Sequence, residues 1–295
     1  MIARRLLALP FALVAVLSAV FFCLLATGDP VDMLAPPQAT NADKAQMRHD
    51  FGLDRPLPYQ LGVFLLKAAH GDFGHSLFED RPALQLALER FPNSLELALG
   101  STLLAIVIGV PLGVLAATAR RSVVDQAVMG FALVGQSMAS FWLALLLILL
   151  FAVQLRWLPV SGNSGPQSLI LPSLALSFWL MALLARLTRS EMVEVLAEDC
   201  VRTASAKGLP RRVILIRHAL RNALIPLVTM IGVSLGWQFG GAVVIEYVFG
   251  WPGLGSLLLE AVLRRDYPLV LAGVAILATL FIVINLLVDV LYTLI

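Results

Sequence analysis

The stretch Asp199–Pro226, DCVRTASAKGLPRRVILIRHALRNALIP, concentrates positive charge in an otherwise apolar chain. The segment Arg186–Arg221 holds eight of the 21 Lys and Arg residues. Small residues at positions 203–206 are followed by Gly208 and Pro210, an order that typically ends a helix. The pattern therefore predicts a short helix that stops at Gly208 and a second helix that leads into the next apolar run.

The composition of the whole chain indicates an integral membrane protein. Of its 295 residues, 59% are hydrophobic and 14% are charged, and the mean hydropathy is +0.89. Soluble domains carry about 25% charged residues, and a soluble fold could not bury this much apolar surface. The net charge of +2 is too small to indicate nucleic-acid binding. Cys23 and Cys200 lack metal-site spacing and are interpreted as free thiols.

Six runs without Lys, Arg, Asp or Glu approach or exceed the roughly 20 residues that a helix needs to cross a membrane. We therefore expect six membrane helices, at Leu6–Ala26, Leu97–Ala119, Ala127–Leu155, Leu169–Ala185, Asn222–Ile245 and Tyr267–Val288. The first run could be a signal peptide, because Arg4 and Arg5 precede it. It is longer than a signal-peptide core and no small-x-small cleavage site follows, so we interpret it as a retained helix.

The distribution of Lys and Arg predicts the orientation. With the N-terminus inside, the cytoplasmic segments hold 12 of these residues, and the two short outer loops hold three. Both termini and the basic loop 186–221 are therefore expected on the cytoplasmic side. A helix there could bind anionic lipid or enter a cleft of a cytosolic protein. The small residues 203–206 favour a protein partner, because they permit close approach.

The segment Thr27–Glu96 is expected to form a small outer subdomain. Loops of this length without secondary structure are uncommon, and two stretches, ADKAQMRHDFGL and PALQLALERF, look helical. The subdomain could contact an external partner or form a self-packed cap. His70 and His75 lie near Asp72, a pattern too weak to indicate a metal site.

The end of the fifth apolar run contains a candidate gate. Gly240 and Gly241 permit close backbone approach or a break in the helix, and Glu246 follows them. A carboxylate at the mouth of a membrane helix is costly and often lines a polar cavity. Glu246 is therefore either a gate residue or an interfacial residue that faces water.

The chain lacks the motifs of an enzyme that acts through its own side chains. It contains no G-x-x-x-x-G-K-[ST], H-E-x-x-H or G-x-S-x-G sequence. A pore or transporter that receives energy through its cytoplasmic loop fits better. A stand-alone channel or secondary carrier is an alternative, although intramembrane charges and inverted repeats are not evident. A scaffold that anchors cytosolic proteins is another.

The sequences RTASAKG and RHALRNALIP resemble the EAA-type coupling loop of ABC importer permeases, in particular the oligopeptide/dipeptide/nickel family. The likeness extends over nearly the whole chain, through ordered segments such as ATGDPVD, FGLDRPLPYQ, RFPNSLELAL, GGAVVIEYVFGWPGLG and RDYPLV. Two positions depart from the expected patterns. Arg202 stands where the wider EAA motif has Glu, an absence that is common in the peptide branch, and Cys200 stands where that branch usually has an aromatic residue.

The resemblance implies an all-α polytopic membrane protein with six transmembrane helices, a cytoplasmic coupling helix and a long outer loop, as in type I ABC importers. The parts would be a first helix (1–26), an outer loop subdomain (27–96) and a five-helix permease core (97–295) that includes the coupling loop 186–221. The residues that couple to an ATPase would be Arg202, Thr203, Ala204, Ala206, Lys207, Gly208 and Pro210.

The resemblance also implies partners in a bacterial or archaeal cytoplasmic membrane. These are a second homologous permease, expected as a heterodimer, two cytosolic ABC ATPase subunits and an extracytoplasmic binding protein. The chain itself would hold no cofactor, because ATP and Mg²⁺ would bind to the ATPase subunits. The substrate is expected to be a di- or oligopeptide, and nickel or a metal chelate is the alternative.

Overall fold

The computed structural model describes residues 2–27, 31, 40–50 and 54–294. In these ranges the regular elements are helices, apart from an isolated bridge between His75 and Pro82. The described residues form two compact units. The first contains the residues up to Asn93 together with Gly253–Leu286, and the second contains Ser94–Pro252 and the residues from Leu287 onward.

The helices follow one another with short connections. In chain order they are α1 Ile2–Thr27, α2 Asn41–Asp50, α3 Leu57–Ala69, α4 Ala83–Thr118, α5 Val123–Ser137, α6 Ser140–Gln154, α7 Pro166–Val195, α8 Asp199–Ala206, α9 Arg211–Val248, α10 Leu254–Arg264 and α11 Tyr267–Leu294. π-Helical turns end α6 and lie near the start of α9, at Ile148–Gln154 and Ile214–Leu220.

Several of these helices can cross a membrane. Among the described residues, α4, α7, α9 and the part of α11 up to Val288 are long and apolar enough. The pair α5 and α6, bent by 106°, makes a fifth candidate if it is one broken span. The apolar stretch Pro10–Ala26 of α1 is shorter. The prediction of an all-α polytopic membrane protein is confirmed, whereas the number of six spans stays a prediction.

The expected spans were too short at two places. The run Leu169–Ala185 lies within α7, which has 30 residues and continues through Arg186 and Arg189. The run Leu97–Ala119 lies in the later part of α4, so residues 83–96, assigned above to the outer loop, are helical. A charged side chain does not interrupt the backbone hydrogen bonds of a helix, so the ends of charge-free runs do not mark helix ends.

The expected third span, Ala127–Leu155, is wrong as a single straight helix. Met138 and Ala139 adopt extended backbone conformations, with ψ of 129° and 131°, and they separate α5 from α6. Neither residue is Gly or Pro, so the sequence carries no ordinary signal for this break. The run Asn222–Ile245 lies within α9, which begins at Arg211 and continues into the membrane segment as expected.

The core of the first unit joins α1, the start of α4, α10 and the start of α11. Its buried residues include Leu24, Leu86, Leu258 and Val270. The Tyr267 hydroxyl donates a 2.8 Å hydrogen bond to the Leu24 carbonyl, which fixes α11 to α1. Two helices in this unit, α3 and α10, were not foreseen, although α10 buries Leu254, Leu258 and Ala261 at helical spacing.

Helix α7 lies at the centre of the second unit, where small residues let other helices approach it closely. A Cβ atom added to Gly113 of α4 would lie 2.4 Å from Thr188 Cβ, and one added to Gly109 would lie 2.6 Å from the Met181 carbonyl oxygen. A Cβ atom on Gly135 of α5 would lie 2.6 Å from Ala182 Cβ. The sequence GVPLG at 109–113 therefore acts as a G-x-x-x-G contact between α4 and α7.

Candidate functional site

The expected coupling helix is α8, which lies between two breaks in the chain. It follows Glu198, whose backbone is extended with ψ of 157°, and it ends at Ala206. Asp199 in its first turn places negative charge near the positive end of the helix dipole. Val201 and Ala204 are buried, and the other residues of α8 are exposed. The helix thus presents most of its surface to the outside of the chain.

The turn after α8 has the geometry that the Gly-Leu-Pro sequence predicts. Gly208 has φ of +73°, a conformation that favours glycine because a Cβ atom would be strained. The Gly208 amide donates to the Ser205 carbonyl at 3.0 Å, and the Leu209 amide donates to the Ala204 carbonyl at 3.4 Å. These two bonds form a Schellman motif. The predicted stop at Gly208 is therefore confirmed.

Helix α8 is anchored to three longer helices of the second unit. Val201 and Ala204 belong to a buried apolar cluster with Ala117 of α4, Met192 and Val195 of α7, and Ile214, Ala219 and Ala223 of α9. Close-packed side chains transmit displacement because they cannot compress. A movement of α8 would therefore act on the ends of α4, α7 and α9.

Most of the predicted coupling residues lie on the outer surface of α8 and its turn. The exposed ones are Arg202, Thr203, Ala206, Lys207, Gly208 and Pro210. Arg202 Nη1 lies 3.3 Å from Asp199 Oδ1, and the Thr203 hydroxyl donates to the Asp199 carbonyl at 2.9 Å. Ala204 differs, because it faces inward and its small side chain lets α8 approach the helices beneath it.

The thiol of Cys200 lies close to a carboxylate of this loop. Its Sγ atom lies 3.5 Å from Glu198 Oε2. Partial desolvation, followed by the neighbouring Glu198 carboxylate, raises the pKa of the Cys200 thiol above its ordinary value. Cys23 and Cys200 are both exposed free thiols, as expected.

An ion pair that sequence analysis missed joins α5 to α7. The Asp125 carboxylate accepts hydrogen bonds of 2.8 Å from both Nε and Nη2 of Arg189. It also accepts a 2.9 Å bond from the backbone amide of Arg121, and Ser122 caps α5. The motif Ser122-x-x-Asp125 signals a helix start, but the partner lies 64 residues away, where no local pattern points to it.

The expected gate residue Glu246 lies inside the protein. Its exposed fraction is 0%, and its Oε1 atom accepts a 2.6 Å hydrogen bond from the Ser94 hydroxyl of α4. The alternative of an interfacial residue that faces water is therefore wrong for this conformation. Helix α9 is unbroken at Gly240 and Gly241. Gly241 lets Leu176 approach to 3.3 Å of an added Cβ, whereas Gly240 is open.

A second buried polar contact joins the same two helices. Gln238 Nε2 of α9 donates to Ser101 Oγ of α4 at 3.2 Å. The two contacts, Ser94–Glu246 and Ser101–Gln238, advance along α4 while they retreat along α9, so the helices are antiparallel. Nearby on α7, the buried Ser173 hydroxyl makes no hydrogen bond among the described residues. Polar side chains thus line the contact region of α4, α7 and α9.

No group of three or more His, Cys, Asp or Glu residues in the described ranges is placed to hold a metal ion. His70 Nδ1 lies 2.8 Å from the Leu66 carbonyl oxygen, and His75 is in the bridge to Pro82.

Comparison with known proteins places the chain in a family. Residues 109–295 match the model of the binding-protein-dependent transport system inner membrane component. The chain is 42% identical over 290 residues to the glutathione transport system permease protein GsiC of Salmonella choleraesuis strain SC-B67, covering 98% of this chain and 95% of the relative. It is 43% identical to GsiC of Pectobacterium atrosepticum with the same coverage. It is also 43% identical to GsiC of Escherichia coli strain K12, over 90% of this chain and 87% of the relative. The chain therefore belongs to the family of inner membrane components of binding-protein-dependent transport systems.

Proposed function

We propose that this chain forms part of the translocation pathway of an ATP-driven ABC importer for di- or oligopeptides. The observation that carries the proposal is the arrangement of α8. The exposed surface of this helix carries small residues, and its buried residues Val201 and Ala204 anchor it to α4, α7 and α9. Such an arrangement converts a push on one short helix into movement of three long ones.

The chain works as a permease subunit with partners, as its family requires. We propose two cytosolic ATPase subunits that hold ATP and Mg²⁺, a binding protein outside, and a second permease that differs in sequence from this one. Hydrolysis then belongs to the ATPase subunits, and this chain holds no cofactor of its own. The 27–96 segment is the proposed contact for the binding protein.

The substrate proposal rests on the relatives. Three of them are named as glutathione transport permeases, and glutathione is a tripeptide. Small peptides are therefore the substrate class to test first, with glutathione among them. Nickel or a metal chelate is the less supported alternative.

The proposed orientation places the basic loop inside. The eight Lys and Arg residues of 186–221 would then lie at the cytoplasmic surface together with both termini. In this orientation the exposed face of α8 points toward the ATPase subunits.

The proposed cycle is alternating access. ATP binding draws two ATPase subunits together and with them the coupling helices, and the long helices open to the outside to receive peptide from the binding protein. Hydrolysis restores the inward-open state. Glu246, Gly240 and Gly241 are proposed to lie at the outer gate, where separation of α4 from α9 would break the Ser94–Glu246 bond and expose the carboxylate.

The proposal is tested by purification followed by reconstitution. The tagged chain is isolated in mild detergent, and co-purifying proteins are identified by mass spectrometry. We expect a second permease and ATPase subunits. Proteoliposomes with these proteins and the matching binding protein should import labelled glutathione or dipeptides and should require ATP. Recovery of the chain alone, with ATP-independent flux, would instead indicate a channel or carrier.

The variant Gly208→Trp tests the coupling role within that assay. It should abolish uptake while the chain still inserts into the membrane, because it changes the turn that shapes the docking surface. Gly130→Ala in α5 is the matched control, since an added Cβ atom there meets nothing within 4 Å and Gly130 belongs to neither the coupling loop nor the proposed gate. Normal uptake by Gly208→Trp at normal expression would contradict the coupling role.

A further inference from the structure

The Asp125–Arg189 pair lies where three helices of the second unit meet. Asp125 is in the first turn of α5, and Arg189 is in the last two turns of α7. The Arg121 amide that also binds the carboxylate belongs to the short turn that connects α4 to α5. One carboxylate therefore joins the end of α4, the start of α5 and the end of α7.

The geometry of the pair is well defined. Both guanidinium bonds measure 2.8 Å, which is the bidentate arrangement that fixes direction as well as distance. The Asp125 side chain is 6% exposed and that of Arg189 is 28% exposed. Burial of charge is costly, and apolar side chains often stabilise such a position equally well. Helices α5 and α7 also pack closely at Gly135 and Ala182, at the other end of α5 from Asp125.

The position of Arg189 connects the pair to the coupling helix. Helix α7 continues from Arg189 to Val195, and α8 begins at Asp199. Met192 and Val195, which follow Arg189 by one and two turns, pack in the same apolar cluster as Val201 and Ala204 of α8. A displacement of α8 reaches the end of α7 directly, and the ion pair extends it to α5.

We propose that Asp125 and Arg189 are positioning residues that make α5 move together with α7 and α8 during the transport cycle. This inference rests on the proposed function. Without the pair, α8 would still dock and displace α7, but α5, and with it α6 beyond the bend at Met138 and Ala139, would lag. ATP hydrolysis would then be poorly converted into substrate movement.

The principal test is the ratio of peptide imported to ATP hydrolysed in proteoliposomes with wild-type chain, Asp125→Asn and Arg186→Gln. Asn keeps the side-chain shape and removes the charge of the pair. Arg186 is exposed on the same helix as Arg189, so Arg186→Gln is the matched control for loss of charge. We expect the ratio to fall by about tenfold in Asp125→Asn, within the usual range of coupling effects, and to stay at the wild-type value in Arg186→Gln.

A merely structural role would change different quantities. It would lower the amount of assembled complex but leave the ratio per complex unchanged, and that result would overturn the inference. A wild-type ratio in Asp125→Asn would overturn it as well. Arg189→Lys, which keeps the charge but loses the bidentate fork, should fall between Asp125→Asn and wild type. If wild-type complex shows no ATP-dependent import, the proposed function fails, which is a separate outcome.

A distance measurement tests the mechanical link without relying on transport. Spin labels are placed at Val123→Cys and Ala197→Cys, both exposed and outside the docking surface of α8, in a chain whose native thiols are replaced by Cys23→Ser and Cys200→Ser. The assembled wild-type complex should show one narrow distance distribution that is the same with and without ATP. Asp125→Asn should broaden the distribution or make it depend on ATP. An unchanged narrow distribution in Asp125→Asn would overturn the inference.

Discussion

Asp125 and Glu246 are both carboxylates buried in the second unit, but they bind different kinds of donor. Asp125 accepts two bonds from the charged guanidinium of Arg189 and a third from a backbone amide. Glu246 accepts a bond from the Ser94 hydroxyl. The guanidinium binds its carboxylate through two parallel N–H groups, which fix direction as well as distance, whereas the Ser94 hydroxyl supplies a single bond. We therefore expect the Asp125–Arg189 contact to be harder to break than the Ser94–Glu246 bond.

The packing of two glycines near these carboxylates also differs. Gly113 of α4 lies so close to Thr188 of α7, next to Arg189, that no Cβ atom fits. Gly240 of α9 is exposed and has open space around it, although Glu246 on the same helix is fully buried. The contrast therefore concerns the two glycine sites, one in a tight helix contact and one on the surface of the chain.

The largest expected effect tests the strength of the ion pair. Arg189→Leu leaves the buried Asp125 carboxylate without its counter-charge, which costs about 3–5 kcal/mol for a fully buried pair. Because the Arg189 side chain is 28% exposed, we expect the lower end of that range. Thermal unfolding of the purified complex measures it. The double variant Asp125→Leu with Arg189→Leu should recover most of the loss, and an additive loss would contradict this account.

The next effect tests the packing contrast with two matched substitutions. Gly113→Ala should destabilise the complex by about 1–3 kcal/mol, because α4 and α7 must separate to admit the methyl group. Gly240→Ala should be neutral or stabilising by a few tenths of a kcal/mol, because the site is open and the helix gains propensity. Equal unfolding temperatures for the two variants would show that the contrast is wrong.

The hydroxyl contact should contribute less. Ser94→Ala removes the donor to Glu246 and should cost about 0.5–2 kcal/mol, since a single interhelical hydrogen bond in a membrane is modest. Glu246→Gln keeps an acceptor oxygen and should cost less than Ser94→Ala. If Glu246 gates the pathway, Glu246→Gln should nevertheless change the uptake rate, whereas an unchanged rate would remove its gate role.

The smallest effect concerns the exposed coupling loop, where charges act through water. Because the pKa of Cys200 is raised, its reactive thiolate is scarce at neutral pH, and alkylation should accelerate as pH increases. Glu198→Gln removes a nearby negative charge, so it should lower this pKa and speed labelling a few-fold at neutral pH. ATPase binding should protect the thiol if α8 docks as proposed. Labelling rates measured by mass spectrometry across a pH series, with and without the ATPase subunits, decide both points.

Local chemistry explains why α8 and its turn were predictable. Gly208 adopts a left-handed conformation and Pro210 follows it, so the stop is encoded within a few residues. Helix α10 carries a similar local signal, because its buried residues Leu254, Leu258 and Ala261 recur at helical spacing. The bend between α5 and α6 was not predictable, because Met138 and Ala139 are ordinary helix residues and the break depends on their surroundings.

The sequence by itself determined the membrane class, the helical content, the short helix α8 with its turn, and the family that its motifs indicate. These follow from composition and from patterns within about ten residues, where hydropathy and backbone preference act locally. The tertiary structure alone decided that Asp125 faces Arg189, that Glu246 is buried against Ser94, and that α8 rests on three helices. The two side-chain contacts join residues that are 64 and 152 positions apart in the sequence, and the contacts of α8 involve three other helices. Such long-range contacts are selected by packing and by the need to satisfy buried charge.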